Sequence, residues 1–206
     1  MQLYVDSNYV SPYAMSVFVA LHEKKLPFEM IPLDLQSGAA NTPAFAKTSI
    51  TQRIPTLVEG EFSLSESSAI TEYLDEAYPG QALYPTETKA RARARQVQAW
   101  LRSDFMPIRT ERATIILFYG PSAIPLSEEA CRATQILFAG AMQLLSHGGP
   151  YLCDKEWCIA DVDLSIMLNR LVLNGDDVPE ILAAYAARQW QRPTVQRWVD
   201  LKRPPL

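Results

Sequence analysis

Apolar and polar positions alternate from Leu3 to Asp6, which is the two-residue period of a strand with one buried face. A polar stretch follows, and then Ala14, Val17, Phe18 and Leu21 recur at the spacing of one helix face. Ser11-Pro12 supplies the start: a serine oxygen can accept from free backbone N–H groups, and the fixed φ of proline suits a first helical turn. Strand-like alternation returns over Phe28 to Leu35, and a short helix is expected at Pro43 to Lys47. Thr56-Leu57-Val58 and Phe62-Ser63-Leu64 flank Glu59-Gly60-Glu61, the pattern of a hairpin. Ile70, Tyr73, Leu74 and Ala77 then mark another amphipathic helix. The predicted order is β-α-β-α-β-β-α.

Tyr78-Pro79-Gly80 breaks that helix, and the residues up to Pro85 have turn character, so one domain is expected over 1–79 and a second over 86–206. The second carries helical periodicity throughout, as in Val97, Trp100, Leu101 and in Ala133, Leu137, Ala141, Leu144 and Leu164, Leu168, Leu171. Prolines punctuate these segments, which predicts a bundle of about five helices.

With 206 residues and 48% apolar content the chain can bury a core without disulfides. A net charge of -4 argues against a protein that grips phosphate backbones, so nucleic acid is not an expected partner. The first residues lack the pattern of a signal peptide, and no apolar run reaches the roughly 18 residues of a membrane span. Cys131, Cys153 and Cys158 form no framework pattern, as expected where thiols stay reduced. A soluble, cytoplasmic protein with no membrane partner is the expectation.

The phosphate-loop, dinucleotide-loop, zinc-protease and serine-hydrolase patterns are absent, and His22 and His147 are the only histidines. No metal is expected. There is no Cys-x-x-Cys and no cysteine before residue 131, so the first domain carries no redox dithiol of its own. Asp161 and Asp163 lie two apart on a predicted helix and face different ways, which suits a first helical turn better than a catalytic pair. Arg91, Arg93 and Arg95 read as a solvated helix face.

What remains is Gln52-Arg53-Ile54-Pro55-Thr56-Leu57, followed eight residues on by Ser65-Glu66-Ser67-Ser68-Ala69-Ile70. This resembles the glutathione transferase pattern of a hydrophobic residue and proline before a strand, a hairpin, and Glu-Ser opening a helix. The run from Ser65 to Leu74 is similar to that family's stretch nearly residue for residue. Trp157-Cys158-Ile159-Ala160-Asp161 resembles its bundle-domain motif, and Gln191-Arg192-Pro193 with Trp198 its closing helix. Residues Arg91 to Arg112 further resemble the bacterial YfcF-like branch, which favours reduction of organic hydroperoxides.

The resemblance implies a thioredoxin-like N-terminal domain and an all-helical C-terminal domain, glutathione as co-substrate, a homodimer, and a role in detoxification or oxidative stress. An Ile-Pro bond held cis would offer the Ile54 amide and carbonyl to the glutathione backbone. Ser67 and the helix amides would take the γ-glutamyl carboxylate, Glu66 its ammonium, and Arg53 the glycyl carboxylate. Caps formed by Ser65 and Ser67 are the structural alternative.

The family activates the thiol with Tyr, Ser or Cys near the end of the first strand, where this chain offers Ser7, Tyr9, Ser11 and Tyr13. Ser11 is preferred, because its hydroxyl stands at a helix N-terminus that favours an anionic sulfur. Its alternative is a simple N-cap. Cys158 stands where the family often has Ser or Thr, a weaker cap. The electrophile is expected between the domains, near Phe105, Met106, Ile108, Arg109 and Arg112. Competing functions are a non-catalytic interaction protein on this fold and a glutathione-dependent disulfide reductase.

Overall fold

A computed structural model describes residues 1–153 and 155–205. Strand β1 (Gln2–Asp6), helix α1 (Pro12–Glu23), β2 (Glu29–Leu33), α2 (Pro43–Thr48), the hairpin β3 (Thr56–Glu59) and β4 (Phe62–Ser65), and α3 (Ser67–Ala77) follow the expected order. The sheet order is β2-β1-β3-β4, with β1 parallel to β2 and antiparallel to β3. Pro32 lies inside β2, opposite Val5; β2 is an edge strand, where a missing N–H disrupts no second ladder. Leu3 and Val5 of β1 are fully buried, as is every residue of α1 from Ala14 to Leu21 except the slightly exposed Phe18.

Among the described residues, α4 (Thr88–Ser103), α5 (Met106–Glu111), α6 (Ile116–Tyr119), α7 (Glu128–Leu144), α8 (Ile159–Val172) and α9 (Glu180–Trp190) follow, and α10 (Pro193–Val199) closes the chain. The bundle has more segments than the five expected. Phe105 adopts a left-handed φ of 58°, which ends α4 and starts the six-residue α5, a piece too short to show periodicity.

The chain forms two compact units, one of Met1–Leu83 together with the residues from Pro193 onward, the other Tyr84–Arg192. The division falls between Leu83 and Tyr84. The closing segment, expected in the helical domain, clusters instead with the first unit, where α10 packs on α1. Trp198, with no exposed surface, meets the Phe18 ring at 5.1 Å. Near the C-terminal end of α1, Lys24 bridges Asp75 at 3.1 Å and donates to the Tyr78 carbonyl at 2.8 Å, tying α1 to α3.

In the second unit Arg112 makes a two-point contact with Asp176, at 2.6 and 2.7 Å. The Asp161 carboxylate accepts from Leu152 N–H, Cys158 N–H and the Tyr185 hydroxyl at 2.8, 2.9 and 2.7 Å. Burial raises the Asp161 pKa, and these donors oppose the rise. The first turn of α8 is therefore held by the carboxylate, whatever the thiol of Cys158 contributes as a cap.

Candidate functional site

Three chain segments end together on the sheet of the first unit. Tyr4 pairs with Thr56 and Thr56 with Ser65, and β1 and β3 run in opposite directions. The register therefore places the exit of β1, the entry of β3 and the exit of β4 at one end. From these three points run the loop to Ser11, the Arg53-Ile54-Pro55 segment and Glu66-Ser67.

The first of them is built on Asp6, only 6% exposed, whose carboxylate accepts from Val10 N–H at 2.8 Å and Ser11 N–H at 3.0 Å. Tyr9, with φ of 53°, makes the turn between them. Ser11 is the N-cap of α1 and its Oγ accepts from Ala14 N–H at 3.2 Å. A hydroxyl that accepts in this way still has its own O–H to donate. Ser11 is half-buried, so a solute can reach it.

The second segment carries a cis Ile54-Pro55 peptide. Ile54 lies just before the ladder, which starts at Thr56, and is half-buried. Thr56 Oγ1 stands 2.8 Å from the Arg53 carbonyl and 2.9 Å from Ser49 Oγ, so this loop is fastened through its backbone and hydroxyls. The Arg53 side chain is exposed.

The third segment turns at Glu66, which has φ of 74° although it is not glycine. Such a conformation is uncommon for a residue with a side chain and often marks a functional position. The turn leaves Glu66 exposed while Ser67, 3% exposed, opens α3 as its first residue. The orphan N–H groups of that helix face the same end of the sheet as Ser11.

The register thus brings Ser11, Ile54, Glu66 and Ser67 to one edge, with Arg53 beside them. Of the other hydroxyl candidates, Tyr9 packs edge-on against Trp198, with ring centres 6.1 Å apart. Among the described residues, no group of three or more His, Cys, Asp or Glu could hold a metal ion, and no helix is long and apolar enough to cross a membrane.

The family model of the glutathione S-transferase N-terminal domain matches residues 7–82, and that of the glutathione S-transferase C-terminal domain matches residues 87–203, more than half of the chain. The chain belongs to the glutathione S-transferase family. Glutathione S-transferase 1 of Dianthus caryophyllus is 32% identical over 169 residues, 80% of this chain and 74% of that protein. A glutathione transferase homologue from Burkholderia, crystallised with bound glutathione, is 44% identical with a TM-score of 0.78, covering 96% of this chain and 95% of the other. A maleylacetoacetate isomerase from Methylobacterium extorquens AM1, crystallised with malonate and glutathione, is 25% identical with a TM-score of 0.77, covering 99% and 98%.

Within this glutathione transferase the structure adds two residues that sequence reading missed, Asp6 and Arg203. Asp6 left a faint signal, an acidic residue ending a strand just before a capped helix. Arg203 left none, because its contact with the Tyr9 carbonyl spans 194 positions. In the second unit, Arg112 is engaged by Asp176 and is 2% exposed, and Ile108 is fully buried. These two residues build the helical unit. Met106 is 59% exposed.

Proposed function

We propose that this glutathione transferase binds glutathione at the end of the sheet where β1, β3 and β4 meet, and uses its sulfur on an electrophile or to reduce organic hydroperoxides. The observation that carries the reading is the register, which sets the Ser11 cap, the Ile54 peptide and the N-terminus of α3 side by side. Glutathione is an extended peptide with two carboxylates and an ammonium. A helix N-terminus with a buried hydroxyl at Ser67 suits the γ-glutamyl carboxylate, and exposed Glu66 suits its ammonium. Ile54 presents backbone at the open end of the ladder, and Arg53 is free to reach the glycyl carboxylate.

Ser11 acts on the sulfur as a hydrogen-bond donor. A free thiol titrates near 8.5. A donor and the positive end of α1 both favour the thiolate and lower that value, so the nucleophile exists at neutral pH. In conjugation the thiolate displaces a leaving group. In the peroxidase reaction it attacks the peroxide oxygen; the alcohol leaves with a proton, and a second glutathione yields water and the disulfide.

The similarity to the Methylobacterium maleylacetoacetate isomerase supports a second reading, in which the thiolate adds to a conjugated double bond, allows rotation, and leaves again. Calorimetric titration with glutathione, followed by turnover of cumene hydroperoxide, an aryl halide, a small disulfide and a cis-enedioate, separates these readings. Ser11→Ala is expected to lower turnover about a hundredfold at neutral pH and to move the rate limb to higher pH, while Ser11→Thr restores it. No glutathione binding at millimolar concentration would remove every enzymatic reading.

A further inference from the structure

We propose that Arg203 is a positioning residue for the loop that carries Ser11, fixing where the thiol-activating hydroxyl points. The proposal rests on the reading of Ser11 given above. Arg203 donates to the Tyr9 carbonyl through both Nε and Nη2, each at 3.2 Å. The same guanidinium donates to the carbonyls of Trp198, Val199 and Leu201 at 2.9, 2.7 and 3.0 Å. It thus joins the carbonyl end of α10 to the turn two residues before Ser11, using the rigid fork that arginine alone provides.

That turn needs holding. Tyr9 sits at a positive φ of 53°, a conformation that persists only where surroundings enforce it. Its ring is held by Trp198 and its carbonyl by Arg203, both from the closing segment. From the other side Asp6 holds Val10 N–H and Ser11 N–H. The loop and Arg203 together line an open groove of about 740 Å3, with Asn8, Asp34, Gln36 and Lys202. Without Arg203 the Tyr9 carbonyl loses both guanidinium donors, the turn is held on its N–H side alone by Asp6, and the Ser11 hydroxyl loses part of its fixed bearing on the sulfur.

The test reads the ionisation of glutathione bound at saturation, from the ultraviolet absorbance of the thiolate as a function of pH. It needs no second substrate. Arg203→Ala is expected to raise the midpoint by about one pH unit, the direction of Ser11→Ala, while glutathione affinity stays within about threefold. The double variant is expected to shift no further than Ser11→Ala, because both act on one hydrogen bond. Arg203→Lys should fall between wild type and alanine, since an ammonium can reach one carbonyl but not fork across several. Lys202→Ala, in the same groove, should leave the midpoint unchanged.

A wild-type midpoint in Arg203→Ala overturns the proposal, whatever happens to melting temperature or yield. If Arg203→Ala does not fold, Arg203→Lys decides: an upward midpoint supports the proposal and a wild-type midpoint overturns it. A Ser11→Ala midpoint at the wild-type value instead removes the Ser11 reading. Failure of the positioning role alone leaves Ser11→Ala shifted and Arg203→Ala not.

Discussion

Glu66 and Ser67 are neighbours with opposite exposures, because the positive φ of Glu66 turns the chain between them. In the proposed site the Ser67 hydroxyl, at the start of α3, donates to the γ-glutamyl carboxylate beside the backbone N–H groups of the helix N-terminus. Ser67→Ala is therefore expected to raise the glutathione KM about tenfold while leaving kcat within about twofold, read from initial rates over a range of glutathione concentration. Asp161 behaves differently. Fully buried, it satisfies two backbone donors and the Tyr185 hydroxyl, so Asp161→Ala strands all three. A stability loss of about 3 kcal/mol is expected by urea denaturation, with glutathione ionisation unchanged in the protein that remains folded.

At the scale of elements, the contact of the Trp100 indole of α4 with α7 depends on one glycine. A Cβ built on Gly140 would lie 2.5 Å from Cη2 of Trp100, so α7 can approach the indole only because no side chain is there. Gly140→Ala must push the ring or the helix aside. The expected loss is about 1–3 kcal/mol, measured as a lower denaturation midpoint, and Gly140→Ala with Trp100→Leu should recover part of it.

The elements themselves were largely legible in the sequence. Ser11-Pro12 starts α1 and the apolar spacing of Ile70 and Leu74 marks α3, because capping and periodicity are local. The short α5 and α6 were not, because six and four residues show too little periodicity. Of the candidate site, the sequence showed which residues bear hydroxyls, charge and a proline in the family pattern. It did not show the Asp6 support, the positive φ of Glu66 or the reach of Arg203.

At the scale of the whole molecule, the closing segment makes acid stability depend on α1. His22 stands 3.1 Å from Arg197 of α10 and packs against Phe18 and Phe28. Burial is the main cause that lowers its pKa; Arg197 adds to the effect and Glu23 opposes it. The unfolded chain therefore binds this proton before the folded one does. The contribution of His22 is full above about pH 6.5 and is lost as the pH falls through the lower folded value. Urea midpoints are expected to decline across that window, and His22→Gln should make the decline shallower. An equal slope in the two proteins would refute the assignment.

The sequence by itself determined the order β-α-β-α-β-β-α, the helical second half and the family pattern around Ile54-Pro55 and Glu66-Ser67, since these rest on spacing between near neighbours. The tertiary structure alone decided that the sheet runs β2-β1-β3-β4, that three strand ends share one edge, and that the segment after Pro193 packs with the first unit. Those outcomes depend on contacts between residues far apart in the chain, as between Arg203 and Tyr9, and no local period encodes them.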